Sequence, residues 1–237
     1  VRETGFLDRT VVLSGARYRC QVYVPSNWTP ERLWPVILFL HGSGERGDDG
    51  LRPTEVGLGS AIRRNARRFP AIVVFPQTNR SCCGWWGEAS VMAIRALDHA
   101  VAEFHGDPRR LYLTGLSMGG SGTFRIAAEY PGRFAALAPV CADFTGELSD
   151  SREWAGEGER YQALARAIGR TPVWLFQGAI DSDPPPVVAR RLAATLAQVS
   201  GDVRYTEYPG VGHNVWERAY DEPGLMPWLL ARTRGPT

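Results

Sequence analysis

Tyr112-Leu113-Thr114-Gly115-Leu116-Ser117-Met118-Gly119-Gly120 is the stretch whose reading decides the fold. An apolar, strand-like run stops at a glycine, presents one serine and resumes as a helix. Gly115-Leu116-Ser117-Met118-Gly119 follows G-x-S-x-G, the pattern of a nucleophile elbow. So tight a turn holds its serine in a strained backbone conformation and lifts the hydroxyl above the end of the sheet. Glycines flank it because a side chain there would strike the neighbouring strand or helix. The unpaired N–H groups and positive dipole end of the helix favour negative charge developing beside Ser117.

Working outward, Arg110–Thr114 is the strand entering the turn, and the helix behind it runs through Gly122–Glu129 until Pro131 ends it. Pro35–Leu40, Ala71–Phe75, Phe134–Val140 and Pro172–Gln177 are short, continuous apolar runs of the kind shown by strands buried on both faces. Thr10–Leu13 and Tyr18–Val24 alternate instead, with Ser14-Gly15 as a hairpin turn, so they form an antiparallel edge, and Val203–Tyr208 is a second edge strand. Helices are predicted over Glu55–Arg68, Ser90–Phe104, Tyr161–Ile168, Val187–Val199 and Gly224–Arg232. The expected architecture is α/β, a mostly parallel sheet with helices on both faces, with residues 1–237 forming a single domain. Only about thirty residues separate the strand ending at Val140 from the next, so little or no cap is expected.

A serine nucleophile needs a base, an acid and oxyanion donors. Every basic residue is an arginine. The lack of lysine excludes a Walker P-loop, a pyridoxal-phosphate Schiff base and a Ser-Lys dyad. The imidazoles are His41, His99, His105 and His213. His213 stands in the glycine-rich loop Pro209–Asn214, directly after the last strand, where a positioned base belongs. His99 and His105 lie on or just after a helix, and His41 reads as a structural residue. For the acid, Asp181 and Asp183 sit on the turn after Gln177-Gly178, with Asp143 after an earlier strand as a third choice.

Gly42, Gly44 and Gly47 fit G-x-G-x-x-G, but Gly47-Asp48-Asp49-Gly50 continues as loop with Pro53 close behind, so no helix opens as a dinucleotide site requires. The loop reads instead as an oxyanion loop. Ser43 supplies one backbone N–H, with Gly44 as the alternative, and Met118 supplies the second. Trp85 and Trp86 stand in a loop at the same strand-end face; Trp86 and Gly44 are expected to touch substrate.

A net charge of +2 gives no reason to expect nucleic acid or a membrane surface as partner, and no apolar run is long enough to cross a bilayer. Cys20, Cys82, Cys83 and Cys141 lack metal-site spacing; a bridge from Cys82 or Cys83 to Cys20 or Cys141 and free buried thiols both fit the sequence. No cofactor or metal is expected. The start at Val1 suggests a trimmed mature form or an excised domain, and a secreted or periplasmic monomer is expected.

Serine, later acid and last-strand histidine occur here in α/β-hydrolase order, and the chain resembles that superfamily over nearly its whole length. His41-Gly42-Ser43-Gly44-Glu45-Arg46-Gly47, Pro76-Gln77, Gly115–Gly120 and Gly212-His213 together resemble compact esterases of the feruloyl-esterase and polyhydroxybutyrate-depolymerase-like group. Gln177-Gly178 departs from the His-Gly usual there. The Gly-x-x-Asp spacing of that superfamily favours Asp181 over Asp183. The resemblance implies a serine esterase acting through Ser117, His213 and Asp181 on short-chain acyl or aromatic, feruloyl-type esters, small or polysaccharide-linked. A peptidase of the same fold and a binding module with an unused elbow are the rivals.

Overall fold

The computed structural model describes residues 3–82, 84–143, 157–199 and 201–235. Cys83 and Trp154, with most of the segment expected as a small cap, lie outside the described residues. The strands are β1 (Gly5–Leu13), β2 (Ala16–Val24), β3 (Trp34–Leu40), β4 (Ile72–Pro76), β5 (Gly106–Leu116), β6 (Ala136–Val140), β7 (Val173–Gly178) and β8 (Val203–Tyr208). They form one eight-stranded sheet in the order β1-β2-β4-β3-β5-β6-β7-β8. β1 pairs antiparallel with β2, and β2 with β4; every other neighbouring pair is parallel.

Helices α1 (Gly57–Arg64), α2 (Glu88–Glu103), α3 (Met118–Glu129), α4 (Glu157–Ile168), α5 (Pro186–Val199), α6 (Trp216–Asp221) and α7 (Leu225–Leu230) cover both faces. The continuous apolar runs follow from this double coverage. Val36, Leu38 and Leu40 of β3 join one core with Leu97 of α2, Phe124 of α3, Leu164 of α4 and Leu192 of α5. Ile37 and Phe39, on the alternate face, join the other core with Ile62 of α1, Tyr220 of α6 and Leu229 of α7. Period-two alternation therefore carries apolar side chains to both cores. This is the α/β-hydrolase fold.

β1 and β5 begin earlier than the predicted strands, at Gly5 and Gly106, and two helical regions also differ from the sequence expectation. The helix predicted over Glu55–Arg68 is α1 flanked by single 3-10 turns, because Asn65 adopts φ −154° and ψ 78° and breaks the helical path. α6 has only six residues, too few to display a helical period, and its turn was not predicted.

The topology brings the functional loops together. The chain leaves β3 toward β4 on one side, whereas β5 lies on the other, so the sheet has its switch point beside the elbow. Register levels the strand ends there: Leu40 opposes Gly115, and Leu116 opposes Val140. At the far side Gly178 opposes Tyr208, so the loops carrying Asp181 and His213 leave the sheet together.

Candidate active site

Ser117 occupies the turn between β5 and α3 at φ 53° and ψ −120°, the left-handed side of backbone space where a non-glycine residue is strained by about 1–3 kcal/mol. Its N–H is tied to the Val140 carbonyl at 3.0 Å, which anchors the turn to the end of β6. The glycines permit that closeness. A Cβ on Gly119 would lie 2.0 Å from the Leu40 carbonyl oxygen, and one on Gly115 would lie 2.3 Å from the Gly119 oxygen. At either position a methyl group would have to push backbone apart.

The Ser117 hydroxyl lies 2.8 Å from His213 Nε2, and His213 Nδ1 lies 2.9 Å from Asp181 Oδ2. An ionised carboxylate only accepts, so the neutral ring carries its proton on Nδ1. Nε2 is then the ring nitrogen free to accept the Ser117 hydroxyl's hydrogen bond. Asp181's side chain is fully buried while His213 retains about 39% exposure, so the carboxylate is fixed and the imidazole reaches the cavity. Asp181 Oδ1 also accepts the Asp183 backbone N–H at 3.0 Å. Asp183 itself is exposed and Asp143 half-buried; both line the cavity, and neither makes the contact to His213 that Asp181 makes.

Two residues with free backbone N–H groups line the same cavity as Ser117. Met118 opens α3, and among the described residues its N–H has no hydrogen-bond partner; the same holds for the N–H of Ser43, which opens a short 3-10 turn. Buried His41 orients the second donor. Its Nε2 accepts the Thr78 backbone N–H at 3.1 Å, which leaves the ring proton on Nδ1 to donate to the Gly42 carbonyl at 2.6 Å. In a trans peptide the N–H points opposite the C=O, so holding Gly42's oxygen turns the Ser43 N–H away from His41. Arg46 braces the same loop, donating through Nε to the Ser43 carbonyl and through Nη1 to the Cys82 carbonyl, each at 2.8 Å.

Burial lowers the His41 imidazole from its ordinary 6.5 to about 4. Above pH 6.5 the ring is neutral folded or unfolded and contributes nothing to pH dependence. Between 6.5 and about 4 the unfolded chain takes up a proton that the folded one refuses, so stability falls with falling pH by about 3 kcal/mol. Urea unfolding at pH 7 and pH 4.5 is therefore expected to show a smaller acid loss for His41→Gln than for the wild type. Equal losses would contradict this.

A cavity of about 620 Å³ opens over the site, lined by Ser43, Arg46, Ser117, Met118, Cys141 and His213 among others. Burial pushes the Cys141 thiol far up, so it stays protonated and offers no second nucleophile. Cys20, Cys82 and Cys141 are all free. Gly44 and Trp86, expected against substrate, do not line this cavity. Trp86 borders a separate space of about 210 Å³ with Tyr18, Thr78 and Met92, because its loop turns toward β2 and α2. Trp85 is wholly buried, donating to the His41 carbonyl at 3.0 Å and packing edge-on against that ring.

Sequence reasoning missed Arg46, Cys141 and Trp216, the last packed edge-on to His213 with ring centroids 5.7 Å apart. The position of Cys141 after β6 was the available signal; for Trp216 there was none. No group of His, Cys, Asp and Glu among the described residues is placed to hold a metal ion, and none of the described helices is long and apolar enough to cross a membrane.

Residues 13–222 match the model of the Esterase family. A thermostable esterase of known structure is 28% identical and superposes with a TM-score of 0.82, covering 97% of this chain and 63% of that one. Poly(3-hydroxyalkanoate) depolymerase C of Paucimonas lemoignei is 31% identical over 119 residues, 45% of this chain and 27% of that protein. A feruloyl esterase module from Clostridium thermocellum, solved with sinapinate, shares the fold at 15% identity and a TM-score of 0.74, over 98% of this chain and 90% of that one. The chain spans about a quarter of the length of the first curated relatives it matches, 25% and 27%.

Proposed function

The chain belongs to the Esterase family, and on that premise we propose that it is a serine carboxylic-ester hydrolase working through Ser117, His213 and Asp181. The observation that carries this reading is the unbroken contact chain from Asp181 through His213 to the Ser117 hydroxyl, ending in a cavity with two unused backbone N–H groups.

His213 Nε2 takes the Ser117 proton as Oγ attacks the ester carbonyl. The N–H groups of Ser43 and Met118 hold the oxyanion. The imidazolium then hands its proton to the leaving alcohol. In the second half water attacks the acyl-serine, again losing its proton to Nε2, and Ser117 leaves with that proton. Asp181 holds the ring tautomer and stabilises the imidazolium without taking its proton.

The open cavity and the likeness in fold to a feruloyl esterase support short acyl or aromatic esters, including hydroxycinnamates carried on polysaccharide. Esters carried on an external polysaccharide are reached from outside the cytoplasm, so a secreted or periplasmic location goes with this reading, the 237 residues acting as one catalytic domain and a monomer. Turnover of p-nitrophenyl acetate, methyl ferulate and a peptide amide, measured side by side, tests it. Both esters are expected to turn over and the amide to resist; preferential cleavage of the amide would replace the esterase reading with a peptidase.

A further inference from the structure

Gln177 is the next-to-last residue of β7 and its side chain is wholly buried. Its Nε2 donates to Asp181 Oδ2 at 2.9 Å and to the Pro184 carbonyl at 3.0 Å. Reversing the amide would set its oxygen against two groups that can only accept, so the donor orientation is required chemically. The same Oδ2 receives His213 Nδ1 at 2.9 Å, and Oδ1 receives the Asp183 N–H. Three N–H groups thus surround a carboxylate that water does not reach. Gln177 is the only one of them from a side chain outside the proposed triad.

Its other end is costly. Gln177 Oε1 is buried and has no hydrogen-bond partner among the described residues, a loss of about 1–3 kcal/mol relative to water. An apolar side chain would avoid that penalty, so the amide stands here at a cost that its two donated bonds must offset.

We propose that Gln177 is a positioning residue for the acid: it fixes the Asp181 carboxylate plane between β7 and the 181–184 turn and limits how strongly Oδ2 holds the imidazolium proton. This rests on the triad reading above. With the amide gone, Oδ2 has one donor fewer, its charge is concentrated on His213, and the carboxylate loses its tie to the sheet. The protonated ring is then favoured and its orientation loosened. Among the described residues, the other titratable groups lining the cavity with this pair are Asp143, Asp183, Arg46 and Cys141, and all remain in every variant below.

Gln177→Met keeps length and removes the donor; Gln177→His restores an N–H. The kcat and KM for p-nitrophenyl acetate are measured across pH for both variants and the wild type, alongside thermal unfolding. Gln177→Met is expected to lose about tenfold to a hundredfold in kcat, the scale of one charge-assisted hydrogen bond, with KM little changed and the acid limb of kcat/KM moved to higher pH. Gln177→His should recover most of the kcat and the wild-type limb. Wild-type kinetics in Gln177→Met, a kcat loss with an unmoved acid limb, or a folded His variant no better than Met would each overturn the proposal. If only the His variant folds, its recovery or loss of kcat decides alone. Fluorophosphonate labelling of the wild type is run in parallel: no labelling defeats the triad reading itself, whereas labelling with unaffected Gln177 variants defeats only this inference.

Discussion

Replacing Ser117 with alanine is expected to lower ester turnover on the order of 10⁶-fold while leaving the protein folded. In the proposed mechanism the hydroxyl oxygen is the atom that becomes acylated, and the neighbouring Cys141 thiol, buried and held protonated, does not replace it. The fold should tolerate the change. Among the described residues the hydroxyl's hydrogen bond is to His213, while the strained turn is held by the Ser117 N–H on Val140 and by the glycine contacts around it. Thermal unfolding is therefore expected within about 2 °C of the wild type. Turnover near the wild-type value in the alanine variant would reject Ser117 as nucleophile.

The second large effect separates two neighbouring carboxylates. Asp181→Asn is expected to lower kcat on the order of 10⁴-fold, because the amide can present an N–H to His213 Nδ1 and force the proton onto Nε2, where it blocks acceptance from serine. Its neighbour should matter far less. Asp183→Asn keeps the backbone N–H that reaches Asp181 Oδ1, and the Asp183 side chain is exposed at the cavity wall. A change within about threefold is expected there, in line with loss of one solvent-screened charge. If the severe loss falls on Asp183→Asn instead, Asp181 is not the acid.

Much of this arrangement was legible because its causes are local. The elbow glycines answer to contacts within the turn and with the end of the neighbouring strand β3, and their G-x-S-x-G spacing is short enough to read directly. β3 and β4 announce double burial because alternate residues feed opposite cores. His213 and Asp181 follow strands that end at one edge, and chain order alone makes them candidates.

What stayed hidden depends on side chains meeting across distant elements. Nothing in the Trp85-Trp86 pair distinguishes the indole packed on His41 from the one facing a second cavity. Gln177 read only as a missing histidine, because its two donated bonds end on residues 181 and 184, after a turn that composition does not describe. His41 read as a structural residue holding the loop; only the ring nitrogen that meets Thr78 was not legible.

In the proposed mechanism His213 activates Ser117 for covalent attack. The most direct test of this step is exposure of the wild type and Ser117→Ala proteins to a fluorophosphonate, followed by intact-mass and peptide mapping. One adduct on Ser117 in the wild type, with turnover lost in proportion and no adduct in the variant, is the predicted result. An unlabelled wild type that still hydrolyses esters, or inactivation with the adduct on another residue, would contradict it.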